Sequence, residues 1–143
     1  MARAEVSSRE KPAVRFELLD VGLLCCHEEI QPDLLERVME EIREDGYVKK
    51  PILVADGAYV ILDGHHRFAA LRALGCRRIP CYVIDYFSEA VDLTLWPTAK
   101  VRQVTKQEVL RRGQSGELFT PKTTRHVLRL KLPDVFTDLE DLM

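Results

Sequence analysis

At 143 residues, with 46% hydrophobic and 31% charged side chains, the chain is long enough for one globular domain that buries about two thirds of its unfolded surface. Its 21 basic and 23 acidic residues nearly cancel to a net charge of −2, which excludes a general field drawing it to nucleic acid or to an anionic membrane. No apolar run approaches the ~20 residues of a membrane span, and the N-terminus lacks the apolar core of a signal peptide, so a cytoplasmic location is expected.

Residues 1–13 are polar and carry a proline, which predicts a loose arm ahead of a single domain over 14–143. VRFELLDV (14–21) suits a strand, and Gly22 lets the chain turn into LLCCHEEI. Gln31 and Pro32 open a helix in which Leu34, Leu35, Val38, Met39 and Ile42 form a core-facing stripe while Glu40, Glu41 and Arg43 face water; Gly46 ends it. PILVAD and AYVILD are short β-prone runs separated by Asp56-Gly57, a two-residue hairpin signal, and should pair antiparallel. A helix over His65–Leu74 follows, burying Phe68, Leu71 and Leu74 and stopping at Gly75. IPCYVIDY and the alternating VDLTLW (91–96) read as further strands, the second ended by Pro97. Thr105 and Glu108 form a capping box that opens a short helix through about Arg112. FTPKTTRH (119–126) reads as a polar, basic loop with almost nothing to bury, VLRLKL as a strand, and the acidic DVFTDLEDLM as a last helical turn docking on the surface.

The stretch VILDGHHRFAALRALG raises a chemical question. It places His65, His66 and Arg67 on the first turn of a helix, where the macrodipole is already positive and several N–H groups lack partners. Potentially cationic side chains clustered there ask for an anion, so Asp63, Gly64, His65, His66 and Arg67 are the candidate phosphate cradle. No G-x-x-x-x-G-K-[ST] loop is present, and no G-x-G-x-x-G follows a strand. Cys25, Cys26, Cys76 and Cys81 follow no C-x2-C spacing and read as reduced structural thiols; zinc through Cys25 or Cys26 with His27 is the residual idea.

The block ILDGHHRFAALRALG resembles the central motif of the ParB/sulfiredoxin superfamily, and within it the chain is most similar to the archaeal free L-serine kinases. Four blocks carry the similarity in order: His27-Glu28, D-G-H-H-R at 63–67, Trp96-Pro97, and P-K-T-T-R-H at 121–126. The resemblance implies an α/β (α+β) ParB/sulfiredoxin-like domain, a small mixed sheet with flanking helices and a phosphate site at a helix N-terminus. It implies a kinase that phosphorylates the hydroxyl of free L-serine to O-phospho-L-serine for cysteine biosynthesis, with ATP or ADP as donor and Mg²⁺ as cofactor. Longer kinases of this kind carry an inserted segment between the tryptophan and P-K-T-T-R-H blocks; this chain resembles a short form without it.

By that resemblance Glu28 is the base that accepts the serine proton, although Glu28 and Glu29 also read as solvated acids ahead of a helix. Asp63, Gly64, His65, His66 and Arg67 would hold the donor phosphates, with Asp63 orienting Arg67 or a histidine or holding Mg²⁺ through water; the residues alone leave these open. Trp96, Lys122, Thr123, Thr124, Arg125 and His126 would contact the serine carboxylate or the product phosphate. The competing reading is a ParB-like nucleotide-binding regulatory or DNA-partition module, but the net charge of −2 and the short chain beyond residue 126 argue against DNA. A sulfiredoxin-type reductase needs cysteine where His65 stands, and a two-metal nuclease needs an acidic cluster that is absent. The sequence leaves the oligomeric state open.

Overall fold

The computed structural model describes residues 14–143, so the expected loose arm over 1–13 lies outside the described residues. Four strands form a mixed sheet in the order β1-β5-β3-β4: β1 (Val14–Asp20), β3 (Ile52–Ala55), β4 (Ile61–Asp63) and β5 (Arg78–Ile84). β1 and β4 are the antiparallel edges, and the central pair β3 and β5 is parallel, with Ile52 opposite Cys81 and Ala55 opposite Ile84. A parallel pair is normally covered on both faces, which is why β3 and β5 read as continuous apolar runs.

Period-two alternation divides the core between those faces. Ile52, Val54, Ile61, Ile79, Cys81 and Val83 point one way, where α1 (Pro32–Asp45) and α2 (His65–Ala73) cover them. Leu53, Ala55, Val60, Leu62, Tyr82 and Ile84 point the other way, under β6 (Val91–Leu95), α3 (Lys106–Ser115) and β7 (Thr124–Leu128). Cys25 packs with the second set and Cys26 with the first, the opposed orientation expected of neighbours in an extended segment. All four cysteines are free thiols.

The helix signals act as the sequence suggests. Pro32 occupies the first turn of α1, and Gly46 closes it in the left-handed region at φ 79° with its N–H on Ile42 O. Thr105 accepts from the Glu108 N–H at 3.1 Å to open α3, which runs to Ser115 rather than Arg112 and ends at left-handed Gly116.

Three expectations change. The β3–β4 connection is a four-residue loop: Ala55 pairs with Val60, and Tyr59 as well as Gly57 has positive φ. The strand expected over VLRLKL begins three residues earlier, because β7 pairs antiparallel with β6 from Thr124 opposite Leu95 to Leu128 opposite Val91. Beyond Val91 the partner strand runs out, and the chain leaves the ladder. The tail does more than dock on the surface. β8 (Thr137–Asp138) pairs with β2 (Tyr47–Val48), a 3-10 turn follows over Leu139–Asp141, and Leu142 is fully buried while its carbonyl accepts from the Arg77 and Arg78 amides.

Candidate functional site

Where β4 ends, Gly64 turns the chain into α2 at φ 104°. A Cβ there would lie 2.6 Å from Ile52 Cγ2 and 3.0 Å from Arg67 Nη2, so only glycine lets the helix start this close to β3. The first helical bond runs from Phe68 N–H to Gly64 O, and no side chain caps the end. The amides of His65, His66 and Arg67 therefore point out of the helix without intrahelical partners.

The histidines are not the cations that the sequence suggested. His65 is 7% exposed, its Nε2 accepts from the His27 amide at 3.3 Å, and burial holds it well below its ordinary pKa. His66 Nε2 accepts from the Gln31 amide at 2.8 Å, tying the start of α1 to α2; burial and nearby Lys122 hold it down as well. Arg67 is the charged member. It gives Nη2 to Pro51 O at 3.2 Å, its buried Nε has no partner among the described residues, and desolvation lowers its pKa against the pull of Asp63.

Glu28 arrives from an extended segment that bridges two distant parts of the chain. Cys25 N–H donates to Tyr59 O, Ile61 N–H to Cys25 O, Phe119 N–H to His27 O and Glu29 N–H to Phe119 O. Glu28 Oε1 accepts from the amides of Thr123 at 3.2 Å and Thr124 at 2.7 Å, and from Thr124 Oγ1 at 2.9 Å. No hydrogen bond to Oε2 is formed among the described residues, although the Lys122 amide also lies near enough to the carboxyl to pull its pKa down. Burial raises the carboxyl above its ordinary pKa even though each of these donors pulls it down. A desolvated carboxylate with one oxygen anchored and one free is built to accept a proton.

A cavity of about 370 Å³ joins these groups: Glu28, Asp63, Gly64, His65, His66, Arg67, Trp96, Lys122 and Thr124 all line it. Thr123 contributes its amide to Glu28 but turns its hydroxyl to Thr120 O at 2.7 Å. Arg125 stacks its guanidinium 4.9 Å from the Trp96 ring centre, as Lys122 does its ammonium at 5.4 Å, and lines a neighbouring cavity of about 410 Å³ that Arg67 and Asp63 also line. His126 turns inward, its Nε2 2.8 Å from Tyr86 Oη, and burial lowers it to about 3. The loop expected over 119–126 is thus partly core: Phe119, Thr123 and Thr124 are buried, and Trp96 N–H to Thr123 O extends the β6–β7 ladder.

The sequence reading missed the flank formed by α1 and the residues after it. Leu34, Val38, Glu41 and Asp45 wall the cavity, as do Tyr47, Lys49 and Lys50. The two lysines ahead of Pro51 were a readable signal; Glu41 is exposed as expected, but on the side that lines the cavity. No zinc site forms: both His27 ring nitrogens are engaged by Ile61 O and Thr124 Oγ1, and no cluster of three metal-ligating side chains exists among the described residues. Among the same residues no helix is long and apolar enough to cross a membrane.

A sequence model of the ParB N-terminal domain matches residues 3–96. The chain belongs to that family. Among curated relatives of this ParB-type chain, an ATP-dependent L-serine kinase of Staphylothermus marinus is 41% identical over 102 residues, covering 67% of this chain and 40% of the relative. The ADP-dependent L-serine kinase SerK of Thermococcus kodakarensis is 34% identical over 87 residues, covering 58% and 36%. The match thus spans well under half the length of these relatives. A solved free serine kinase in complex with AMP superposes with a TM-score of 0.81 at 22% identity, covering 90% of this chain and 93% of that one. The C-terminally truncated SbnI of Staphylococcus aureus superposes at 0.76 with 18% identity, covering 89% and 88%. At those identities the likeness establishes the shared ParB-like fold.

Proposed function

We propose that the protein is a kinase of free L-serine, transferring a phosphoryl group from an adenine nucleotide to the serine hydroxyl to give O-phospho-L-serine in the cytoplasm. The observation that carries this reading is Glu28: a half-buried carboxyl, anchored through Oε1 and without a hydrogen bond at Oε2 among the described residues, in the same cavity as an uncapped helix N-terminus. A base and a phosphate cradle facing one space are what hydroxyl phosphorylation requires, since the chemistry is mostly positioning and charge compensation.

In this reading the α2 amides and Arg67 hold the donor phosphates. The desolvated guanidinium has no carboxylate hydrogen-bonded to it among the described residues, so an anion in the cavity offsets its desolvation. His65 and His66, uncharged and bonded to backbone amides, position the turn through their rings. Lys122 and Arg125, both stacked on Trp96, are suited to the serine carboxylate or the product phosphate. Asp63 is the carboxylate next in sequence to the cradle, and magnesium is typically held by one or two carboxylates together with substrate phosphates, so the residues fit an ion carried in on the nucleotide. Such an ion would supply charge neutralisation on the phosphates. The names of the relatives, which include both ATP- and ADP-dependent L-serine kinases, support the same substrate.

The test is phosphorus NMR of the purified chain with L-serine and Mg²⁺, supplied with ADP and with ATP in separate runs. A phosphoserine resonance is the expected result, and the productive run identifies the donor. In Glu28→Gln that resonance should disappear while nucleotide affinity, read by calorimetry, holds. Silence with both nucleotides from a chain that still binds one would overturn the reading in favour of a ParB-like nucleotide-binding module without turnover.

A further inference from the structure

Behind Glu28 lies a buried imidazole that the reaction described above does not use. His27 is fully buried, its ring 4.7 Å from that of His65, 5.9 Å from His126 and 6.2 Å from Phe119. Its Nδ1 lies 2.8 Å from Ile61 O. A carbonyl oxygen can only accept, so Nδ1 carries the hydrogen. Burial lowers His27 to about 4, which leaves the ring neutral at physiological pH with a lone pair on Nε2. That lone pair faces Thr124 Oγ1 at 2.8 Å, and the same hydroxyl stands 2.9 Å from Glu28 Oε1. One hydroxyl hydrogen therefore serves two acceptors.

We propose that His27 is a positioning residue for Glu28, the alternative acceptor to which the Thr124 hydroxyl turns when Glu28 takes up a proton. The proposal rests on the reading of Glu28 as the base. While Glu28 is ionised, its carboxylate is the better acceptor and holds the hydroxyl hydrogen. The substrate proton then binds at the free Oε2, and the serine oxygen uses the released electron pair to bond the terminal phosphorus as the bond to the nucleotide oxygen breaks. Glu28 is now a neutral acid and Oε1 a weaker acceptor. The hydroxyl hydrogen rotates to His27 Nε2 without any bond to Thr124 or His27 being made or broken covalently. No charge enters the histidine cluster. Without His27 the hydroxyl stays on Glu28 in both states, which favours the ionised carboxylate and makes it a weaker base.

The other groups facing this switch are His65 from α2 and His126 from β7, both kept uncharged by burial, with His66, Arg67, Asp63 and Lys122 around the cavity and Arg112 stacked on Phe119 at 3.9 Å. None of them is altered in the comparison below.

The experiment follows the Glu28 titration by carboxyl ¹³C NMR on the full chain without substrate, in the wild type, His27→Phe, Thr124→Val and the double variant, with folding checked by thermal melting. His27→Phe should lower the Glu28 midpoint by up to about one pH unit, the scale of one hydrogen bond between neutral groups, because the bond lost is the one from the Thr124 hydroxyl to the uncharged ring. In the Thr124→Val background the same substitution should move it no further. Equal midpoints in the wild type and His27→Phe overturn the proposal, and so does a shift that persists without the Thr124 hydroxyl. Should His27→Phe not fold, imidazole ¹⁵N NMR decides: the His27 Nε2 resonance should move toward a hydrogen-bonded acceptor in Glu28→Gln, and an unchanged resonance overturns the proposal. Phosphoserine formation is read separately. Its absence beside a shifted Glu28 midpoint would sink the serine-kinase reading and leave the hydroxyl switch standing.

Discussion

Replacing Gly64 with alanine should cost far more than the same change at Gly57, and the difference isolates the close packing at the α2 start. Both glycines have positive φ, 104° and 86°, so both substitutions carry the backbone penalty of an L-residue there, about 1–2 kcal/mol. At Gly57 nothing lies within 4 Å of the added Cβ. At Gly64 the Cβ would stand 2.6 Å from Ile52 Cγ2, 2.9 Å from Ile52 Cβ and 3.0 Å from Arg67 Nη2, and Ile52 is 1% exposed with no room to retreat. Overpacking a core of this kind adds roughly 1–3 kcal/mol, for a total of about 2–5 kcal/mol. For a domain of this size that corresponds to a fall in Tm of roughly 5–15 °C, against a few degrees for Gly57→Ala. Denaturant and thermal unfolding of the two variants measure it. Because the strain falls on the turn that aims the α2 amides, nucleotide affinity by calorimetry should drop in Gly64→Ala and hold in Gly57→Ala. Equal losses of stability in the two variants would refute the steric argument.

Arg67→Ala should weaken nucleotide binding at least tenfold, because it removes the one charged side chain at the α2 start; unchanged affinity in calorimetry would move the phosphate site elsewhere. Acid should destabilise the fold above the range where carboxylates protonate. Burial lowers His27 to about 4 and His126 to about 3 from the ordinary 6.5, so the unfolded chain takes up protons first. Stability from these groups is whole above about pH 6.5 and is lost as pH falls toward about 4, by on the order of 3 kcal/mol for His27 alone. Denaturant midpoints that stay flat from pH 6.5 to 4.5 would contradict it. Leu142→Ala should cost roughly 2–5 kcal/mol despite its place one residue from the end, because the side chain is fully buried. Deleting Met143, which is 51% exposed, is the control and should leave the unfolding midpoint within about 0.5 kcal/mol.

Local signals with a single physical cause were legible in the amino-acid sequence. Pro32 and Gly46 bracket α1, Thr105 opens α3, and D-G-H-H-R lies at a strand-to-helix turn. The four blocks that carry the family resemblance meet around one cavity because Glu28, Trp96 and Thr124 are drawn together by the Phe119 bridge and the β6–β7 ladder. What was not legible depended on neighbours distant in sequence. The start of β7 was set by the length of β6 rather than by its own alternation, which favoured VLRLKL. The charge of His65 and His66 was set by burial and by the amides of His27 and Gln31, neither of which the helix register reveals. Leu34 and Val38 obey the helical stripe, yet both also line the cavity, so that this side of the stripe is shared between the core, against which Val38 packs, and the site.

The anchoring of Glu28 also has a kinetic side. Its hydrogen bonds reach to Thr123 and Thr124, 95 and 96 residues further along the chain, whereas the central strands β3 and β5 and the helix α2 that joins and covers them lie within about a third of that span. Closing so long a loop is entropically late relative to local pairing. During refolding, fluorescence from Trp96 and protection of the Glu29 and Phe119 amides should therefore report a step that follows collapse of the central strands. The carboxyl acquires its surroundings only after the second half of the chain has come back to meet the first.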